Sequence, residues 1–213
     1  MKSIIASTFL ALSLASTAQA NLIVNGDFEE PQLSGHSWKV FDNIPGWETT
    51  MGNSIEIQRN TIVNAQSGDQ YVELDSYGNS AMTQSLHLEA GTDYLLSFYY
   101  IPRTNRGNND NGIGVFWDIF DGNFDMFDPE NEVISIENQT RKEMPEWMKF
   151  SAVLHATSSE MALSFAALGA SNSYGGFIDN VSLEAVPEPA AVAIFGLGLA
   201  AIAGHRKLTR SNA

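Results

Sequence analysis

Through the middle of the chain, apolar and polar residues alternate along short segments that turn signals separate. One such segment places Tyr94, Leu96 and Phe98 in phase, and strict alternation of this kind is typical of a half-buried strand. Clusters of Gly, Asn, Asp and Pro follow the segments, and no helical period occurs before Ala190. About ten short strands with little helix predict an all-β, antiparallel β-sandwich.

Two of the predicted strands carry side chains that matter for function. Residues 113–120 place aromatic rings on both strand faces, so one large ring is expected to meet solvent or a ligand. Residues 177–185 alternate so that Asp179 falls in phase with Phe177 and Val181. A carboxylate on an inward face needs a partner, and this position is therefore a candidate for a special role.

The tryptophans divide into two groups by their surroundings in the sequence. Trp47 follows the turn Ile44-Pro45-Gly46, and Trp147 begins a predicted strand; both are assigned to the core. Trp38 lies with His36 in a polar stretch that predicts a surface loop.

The first 20 residues are predicted to form a secretory signal peptide, with an uncleaved N-terminal anchor as the alternative. Lys2 gives a positive start, residues 4–15 form an apolar stretch, and Ala18-Gln19-Ala20 is a small-x-small cleavage site. Cleavage is expected between Ala20 and Asn21, which leaves residues 21–185 as one domain of ordinary size.

The last segment, residues 186–213, has three parts in a fixed order. Pro187-Glu188-Pro189 is followed by an uncharged apolar run over residues 190–204 and by the basic pair Arg206 and Lys207. The run predicts a single transmembrane helix with its basic end on the cytoplasmic side. At 1.5 Å per residue it spans about 22 Å, less than the roughly 30 Å of a bilayer core, so a buried helix is the alternative.

This tripartite order resembles the PEP-CTERM sorting signal of Gram-negative bacteria. The resemblance implies that an exosortase-type enzyme recognises and removes the segment. It also implies a transient stay in the inner membrane and a final place at the cell surface or in an exopolysaccharide matrix. The helix would then be absent from the mature protein.

Charge and cysteine content limit the partners of the exported part. Residues 21–185 hold 7 basic and 24 acidic residues, a formal charge near −17, and the chain has no cysteine. Such a charge argues against nucleic acid or anionic lipid as partners. It suits divalent cations and neutral or cationic polymers, and solubility alone explains it equally well. An exported chain without disulfides depends on core burial, with a bound metal as a possible addition.

A second resemblance covers nearly the whole body. Its motifs are Asn25-Gly26-Asp27-Phe28-Glu29, Gly46-Trp47, residues 68–74, residues 91–98 and Ile178-Asp179-Asn180-Val181-Ser182-Leu183. Their order is similar to that of the galactose-binding-like jelly rolls, which include carbohydrate-binding modules and cell-wall proteins. The resemblance implies a jelly-roll fold.

In related jelly rolls a structural calcium joins the first and last strands, and the matching side chains here are Glu29 and Asp179. Calcium takes six to eight oxygen ligands, so backbone carbonyls and waters would complete its shell. The alternative is that both carboxylates accept hydrogen bonds from loop amides.

Glycan binding needs aromatic platforms for the C–H faces of sugars and planar polar groups for the hydroxyls. The candidates from residue type and strand phase are Tyr99, Trp117, Trp38, Phe116, Phe124 and Tyr174, with Asp118, Arg103 and Asn105 as polar partners. Tyr99 and Asp118 both fall opposite the expected core phase, which predicts that they line one sheet face.

Nothing in the sequence marks a catalytic centre. The four histidines are far apart, and the usual hydrolase, zinc and phosphate-loop motifs are absent. The Asp-rich stretches lack EF-hand spacing; Asp121, Asp125 and Asp128 allow a looser calcium loop or a solvated one. The sequence favours a non-enzymatic surface or matrix protein that binds exopolysaccharide or another glycan. The alternatives are a structural or adhesive coat protein without a sugar site and a polysaccharide-processing enzyme.

Overall fold

The computed structural model describes residues 20–52, 54–105, 110–120 and 128–187. These residues form short strands and a single 3-10 turn. The strands are β1 (Ser37–Phe41), β2 (Asn43–Ile44), β3 (Trp47–Met51), β4 (Ile55–Arg59), β5 (Gln70–Glu73), β6 (Ala81–His87), β7 (Asp93–Pro102), β8 (Gly112–Ile119), β9 (Glu132–Ile136), β10 (Met148–His155), β11 (Glu160–Leu168) and β12 (Gly176–Ala185). The 3-10 turn spans Pro129–Asn131.

The strands form two six-stranded sheets. The first sheet has the order β1-β4-β5-β12-β7-β10, and the second has the order β2-β3-β6-β11-β8-β9. Every strand pair is antiparallel. The antiparallel sandwich predicted from the alternation is confirmed.

The core fills the space between the two sheets with aromatic and aliphatic side chains. Trp47, Phe98 and Phe165 are fully enclosed, and the ring of Phe165 lies 5.8 Å from that of Trp47 and 5.1 Å from that of Phe98. Trp117 also belongs to this core: it is 8% exposed, and its Nε1 donates to the carbonyl of His155 at 3.0 Å. Burial of this kind supplies most of the stabilisation of a chain without disulfides.

The polar stretch around Trp38 is a strand and not the predicted loop. Residues 37–41 pair with β4 as the edge of the first sheet, with Trp38 opposite Gln58. An edge strand buries little of its own surface, so it needs no clear apolar alternation. For that reason its sequence resembles a loop.

The last strand does not keep one face throughout. The pairing of β12 with β7 shifts register between Asp179 and Ser182, and Asn180 adopts a φ of 50°. Phe177 and Asp179 therefore lie on the outer face of the first sheet, whereas Val181 belongs to the core. This corrects the predicted common phase, because one extra residue at a bulge reverses the side-chain direction that follows it.

Both terminal signals fall outside the described residues. They are the signal peptide apart from Ala20 and the transmembrane helix predicted over residues 190–204. Within the described residues no helix is long and apolar enough to cross a bilayer.

Candidate functional site

The outer face of the first sheet collects most of the polar and aromatic side chains that could bind a ligand. Cross-strand pairing brings Trp38 opposite Gln58, Gln58 opposite Tyr71, and Asp179 opposite Tyr99. Directly paired residues point to the same side of a sheet. These five residues therefore form one row across the sheet, on the side away from the core.

A loop over residues 60–68 folds onto the middle of this outer face. The hydroxyl of Tyr71 accepts from the N–H groups of Ile62 at 3.1 Å and Val63 at 3.3 Å. Beneath the loop, Tyr71, Ile101 and Phe177 form a small buried cluster separate from the main core. The loop thus covers the centre of the sheet face and leaves a cleft on either side.

The larger cleft measures about 630 Å³, and Tyr99, Trp147 and Arg141 are among the residues that line it. Trp147 donates its Nε1–H to the carbonyl of Asn64 at 2.9 Å, and its ring meets Tyr71 edge-on at 5.8 Å. The Nε of Arg141 is buried and has no hydrogen-bond partner. An aromatic pair and an unpartnered donor at one cleft are the elements that sugar recognition requires.

The structure therefore reverses the roles predicted for two tryptophans. Trp117 was expected on a ligand face but lies in the core, because it shares the inner face of β8 with Ile113 and Val115. Trp147 was expected in the core but lies half-buried at the larger cleft. It directly precedes β10, where Phe150, Ala152 and Leu154 point inward, and Trp147 has the opposite phase to these residues, so it lies on the outer face.

The smaller cleft, of about 300 Å³, contains Trp38, Tyr77 and Arg103. Trp38 is 54% exposed and Tyr77 is 74% exposed, so both rings are accessible. The Nη1 of Arg103 lies 2.6 Å from each carboxylate oxygen of Glu73, and its guanidinium lies 5.2 Å from the ring of Tyr174. Arg103 is therefore held by protein groups on one side of this cleft.

A buried network lies below Arg103. Gln58 Nε2 donates to Glu73 at 2.6 Å and to Glu56 at 2.7 Å, and Ser76 donates to Glu56 at 2.5 Å. Burial raises the pKa of Glu73 to about 8, although the hydrogen bond and charge of Arg103 oppose that rise. The network fixes the floor of the cleft because each member has a partner with directed geometry.

Asp118 and Phe116, two further candidates for glycan contact, do not line these clefts. Asp118 lies on β8 in the second sheet and accepts from the N–H of Ile119 at 2.6 Å. The predicted common face with Tyr99 is therefore wrong, since the two residues belong to different sheets. Phe116 is 4% exposed and packs in a small cluster with Ala81. Phe124 lies outside the described residues.

Glu29 and Asp179, the two expected calcium ligands, both accept hydrogen bonds from the same loop region. Glu29 Oε1 accepts from the N–H groups of Asp69 at 2.7 Å and Gln70 at 2.8 Å. Asp179 Oδ2 accepts from those of Gln66 at 2.8 Å and Ser67 at 2.9 Å. Oxygens of both carboxylates thus accept loop amides, as the hydrogen-bonded alternative expects, and calcium binding by this pair stays a prediction.

The environment of Asp179 also changes its acidity. Burial raises the pKa of Asp179 to about 7, the amides of Ser67, Asn180 and Gln66 act in the opposite direction, and the charge of Glu29 adds to the rise. The Oδ1 of Asp179 accepts from the N–H of Asn180 at 2.6 Å. The carboxylate thus joins the loop over residues 60–68 to the bulge of β12.

Of the sorting-motif residues, the structure describes Pro187 alone. Glu188, Pro189, Arg206 and Lys207 lie outside the described residues.

Comparison with protein families decides the classification. Residues 21–184 match the family model named "Protein of unknown function (DUF642)". The chain belongs to the DUF642 family. Residues 185–207, which follow the DUF642 body directly, match the PEP-CTERM protein-sorting motif. This motif marks the DUF642 protein as one that is exported, and it confirms the resemblance of the C-terminal segment.

Two long toxins contain a stretch similar to this DUF642 protein. The multifunctional-autoprocessing repeats-in-toxin of Vibrio cholerae is 36% identical over 104 residues, which is 48% of this chain and 2% of the toxin. The protein of the same name from Vibrio vulnificus is 35% identical over 104 residues, 47% of this chain and 2% of the toxin. The chain therefore spans a very small part of the relatives it matches.

Solved structures with a similar fold include carbohydrate-binding modules. TmCBM61 in complex with β-1,4-galactotriose has 19% identity and a TM-score of 0.43, covering 78% of this chain and 99% of that one. A family 16 carbohydrate-binding module has 20% identity and a TM-score of 0.44, covering 76% and 99%. The K1 adhesin domain of Lys-gingipain from Porphyromonas gingivalis has 13% identity and a TM-score of 0.49, covering 72% and 100%.

Proposed function

We propose that this DUF642 protein is a non-enzymatic, glycan-binding protein of the cell surface or extracellular matrix. The larger cleft binds the glycan, and an exosortase-type enzyme removes the C-terminal segment during export. The observation that carries the proposal is the meeting of Tyr99, Trp147 and the unpartnered Nε of Arg141 at one accessible cleft of about 630 Å³.

The chemistry of the cleft suits a sugar better than an apolar ligand. Tyr99 and Trp147 offer ring surface for the C–H face of a pyranose, and the guanidinium of Arg141, which also lines the cleft, offers N–H donors for ligand oxygens. Lys149 pairs directly with Tyr99 across β10 and β7, so its ammonium reaches the same outer face. Hydroxyl or carboxylate oxygens of a polysaccharide would satisfy these donors.

The position of the cleft also suits a long chain. It lies on the outer face of a sheet, beside the exposed loop residue Ile62, which is 50% exposed and borders the smaller cleft as well. A polysaccharide lying across the strands would meet Trp147 and Tyr99 on one side of Ile62 and Trp38 on the other. Successive aromatic contacts of this kind add binding surface without a deep pocket.

A binding role fits this cleft better than glycoside cleavage. Most glycosidases need two carboxyl groups on either side of the scissile bond. Among the described residues that line the larger cleft, Glu146 is the acidic one. The carboxylates near the smaller cleft, Glu56 and Glu73, are buried and engaged in hydrogen bonds. We therefore propose binding without chemistry.

A pull-down with a panel of neutral and acidic polysaccharides tests this function. The wild-type protein and the Val153→Ala variant should be retained alike, because Val153 is 62% exposed on the same sheet face but lies about 13 Å along the strands from the Tyr99 row. Tyr99→Ala and Arg141→Gln should lose retention. Equal retention of all four proteins would show that the glycan does not bind at this cleft. Retention of none argues for a coat protein without a sugar site, and release of reducing ends argues for an enzyme.

A further inference from the structure

Three loops meet at one end of the sandwich and bury two carboxylates there. Asp75 follows β5 and is 0% exposed, and Asp110 precedes β8 and is 1% exposed. Neither forms an ion pair with any residue that the structure describes. A buried carboxylate is costly unless a charged group or a metal ion compensates it.

Asn172, on the loop between β11 and β12, connects the two aspartates. Its backbone N–H donates to Asp75 Oδ2 at 3.0 Å, and its Nδ2 lies 3.4 Å from Asp110 Oδ2. The Oδ1 atoms of Asp75 and of Asn172 are both buried and have no hydrogen-bond partner. One carboxylate oxygen of Asp75 and the amide oxygen of Asn172 thus lack any hydrogen-bond donor.

Asn79 adds a third unpartnered oxygen on the same two loops. It forms an isolated bridge with Asp75, and its N–H donates to Ser171 Oγ at 3.0 Å, while its own Oδ1 is buried without a donor. Three of the four unpartnered buried side-chain atoms in the described residues are therefore oxygens of this loop end. Such acceptors are costly to bury if nothing satisfies them.

Turning the side-chain amide of Asn172 over does not remove the problem. In the observed orientation Nδ2 faces Asp110 and Oδ1 is unpartnered. In the reverse orientation an oxygen would face the carboxylate of Asp110. In this reverse orientation a cation between Asn172 and Asp110 would satisfy both oxygens, whereas an anion would meet only acceptors.

We propose that Asp75, Asp110 and Asn172 bind a calcium ion. Carboxylate and amide oxygens are hard ligands of the kind calcium prefers, with backbone carbonyls and waters completing six to eight positions. The described residues contain no group of three or more acidic or His side chains arranged for a metal. At the proposed site the third side-chain ligand is instead the amide oxygen of Asn172. This site is separate from Glu29 and Asp179, whose oxygens already accept loop amides.

The ion would hold the loop over residues 169–175 against the turn over residues 75–79. That loop carries Tyr174, whose N–H donates to Asp75 Oδ2 at 3.3 Å and whose ring contacts Arg103. The turn carries Tyr77, which lines the smaller cleft. The calcium site thus fixes one wall of that cleft, and its existence does not depend on glycan binding.

Calorimetric titration of CaCl2 into the exported protein, freed of divalent cations, tests the site. Wild-type protein should bind calcium, and its Tm should rise by about 5 °C or more at saturation. Asp110→Asn and Asn172→Ala should each weaken this binding at least tenfold or remove one binding event, with unchanged circular dichroism. Asn172→Ala, a loop variant, keeps the test valid if Asp110→Asn does not fold.

Glu29→Gln and Asp179→Asn are the matched controls, and both should retain the binding event that Asp110→Asn loses. The proposal is overturned if wild-type protein shows neither binding heat nor a Tm shift. It is equally overturned if calcium binds Asp110→Asn and Asn172→Ala as tightly as wild type.

Discussion

The guanidinium of Arg103 lies directly on the buried carboxylate of Glu73, with Nη1 at 2.6 Å from both oxygens. Glu73 is fully enclosed and the Arg103 side chain is 21% exposed. The pair links β5 to the loop after β7, and Gly175 of a third segment donates its N–H to the same carboxylate at 2.9 Å. Three segments of the chain therefore meet at this one ion pair.

At about pH 9, where Glu73 is ionised, replacing Arg103 with Met should lower the free energy of unfolding by about 3 kcal/mol, because it leaves a buried carboxylate without its charge partner. The loss should be larger at about pH 9 than at pH 6, since burial raises the pKa of Glu73 to about 8. Urea denaturation measures both values. Arg59→Met removes the more exposed pair with Asp69 and should cost less than about 1 kcal/mol. Equal losses in the two variants would contradict this account of the network.

The stability of the folded protein should fall as the pH rises from about 5 to 8. Burial raises the pKa of Asp179 from 3.8 to about 7 and that of Glu73 from 4.5 to about 8. The folded state then holds protons that the unfolded state has released, so the stabilisation present at low pH is lost through this window. Each group contributes at most about 1.4 kcal/mol per pH unit.

Denaturation curves of wild type and Asp179→Asn, measured across this pH range, test whether stability falls as the pH rises. The variant should show a weaker decline, because one of the two groups no longer titrates. A wild-type stability that rises between pH 5 and 8 would show that these carboxyl groups are not protonated in the folded state.

The loop over residues 60–68 should depend on the hydroxyl of Tyr71. Tyr71→Phe keeps the ring in its cluster but removes the acceptor for the N–H groups of Ile62 and Val63. We expect a loss of about 1–2 kcal/mol and faster proteolytic cleavage within the loop. The control is Tyr94→Phe, which removes a hydroxyl that accepts from Glu89 at 3.0 Å elsewhere. If both variants are cleaved in the loop at the wild-type rate, Tyr71 does not hold it in place.

Export should remove both ends of the chain. The intact mass of the surface or matrix protein should correspond to a chain that begins at Asn21 and lacks the apolar run over residues 190–204. Replacing Pro187, Glu188 and Pro189 with Ala should preserve the tail and leave the protein in the membrane fraction. A released wild-type protein that still carries residues 190–204 would rule out processing at this segment.

The sequence predicts the two-sheet architecture well because alternation reports directly on burial. Tyr94, Leu96 and Phe98 are all in the core as expected. The pattern fails where a strand is at an edge or contains a bulge. Trp38 lies on an edge strand that lacks a clear alternation. The bulge after Asp179 places Val181 on the opposite side of the sheet from Asp179, whereas simple alternation predicts the same side.

The candidate site was harder to predict because it depends on which sheet a strand joins. Residues 113–120 and 94–100 have similar patterns, yet β8 is in the second sheet and β7 in the first. Phase alone therefore grouped Asp118 with Tyr99 wrongly. The assignment of Trp147 to the core was wrong for another reason, because its phase opposes that of Phe150 and Leu154, which point inward. The sequence could not predict that the Nε of Arg141 lacks an acceptor, because hydrogen-bond partners are set only in the folded chain.

The affinity of Tyr99→Ala for the polysaccharide that wild type retains most strongly tests the central claim most directly. Measured by calorimetry beside wild type and Val153→Ala, the Tyr99→Ala affinity should fall at least about tenfold, equal to about 1.4 kcal/mol. Val153→Ala should match wild type. If Tyr99→Ala binds as tightly as both, the glycan does not occupy the cleft between Tyr99, Trp147 and Arg141.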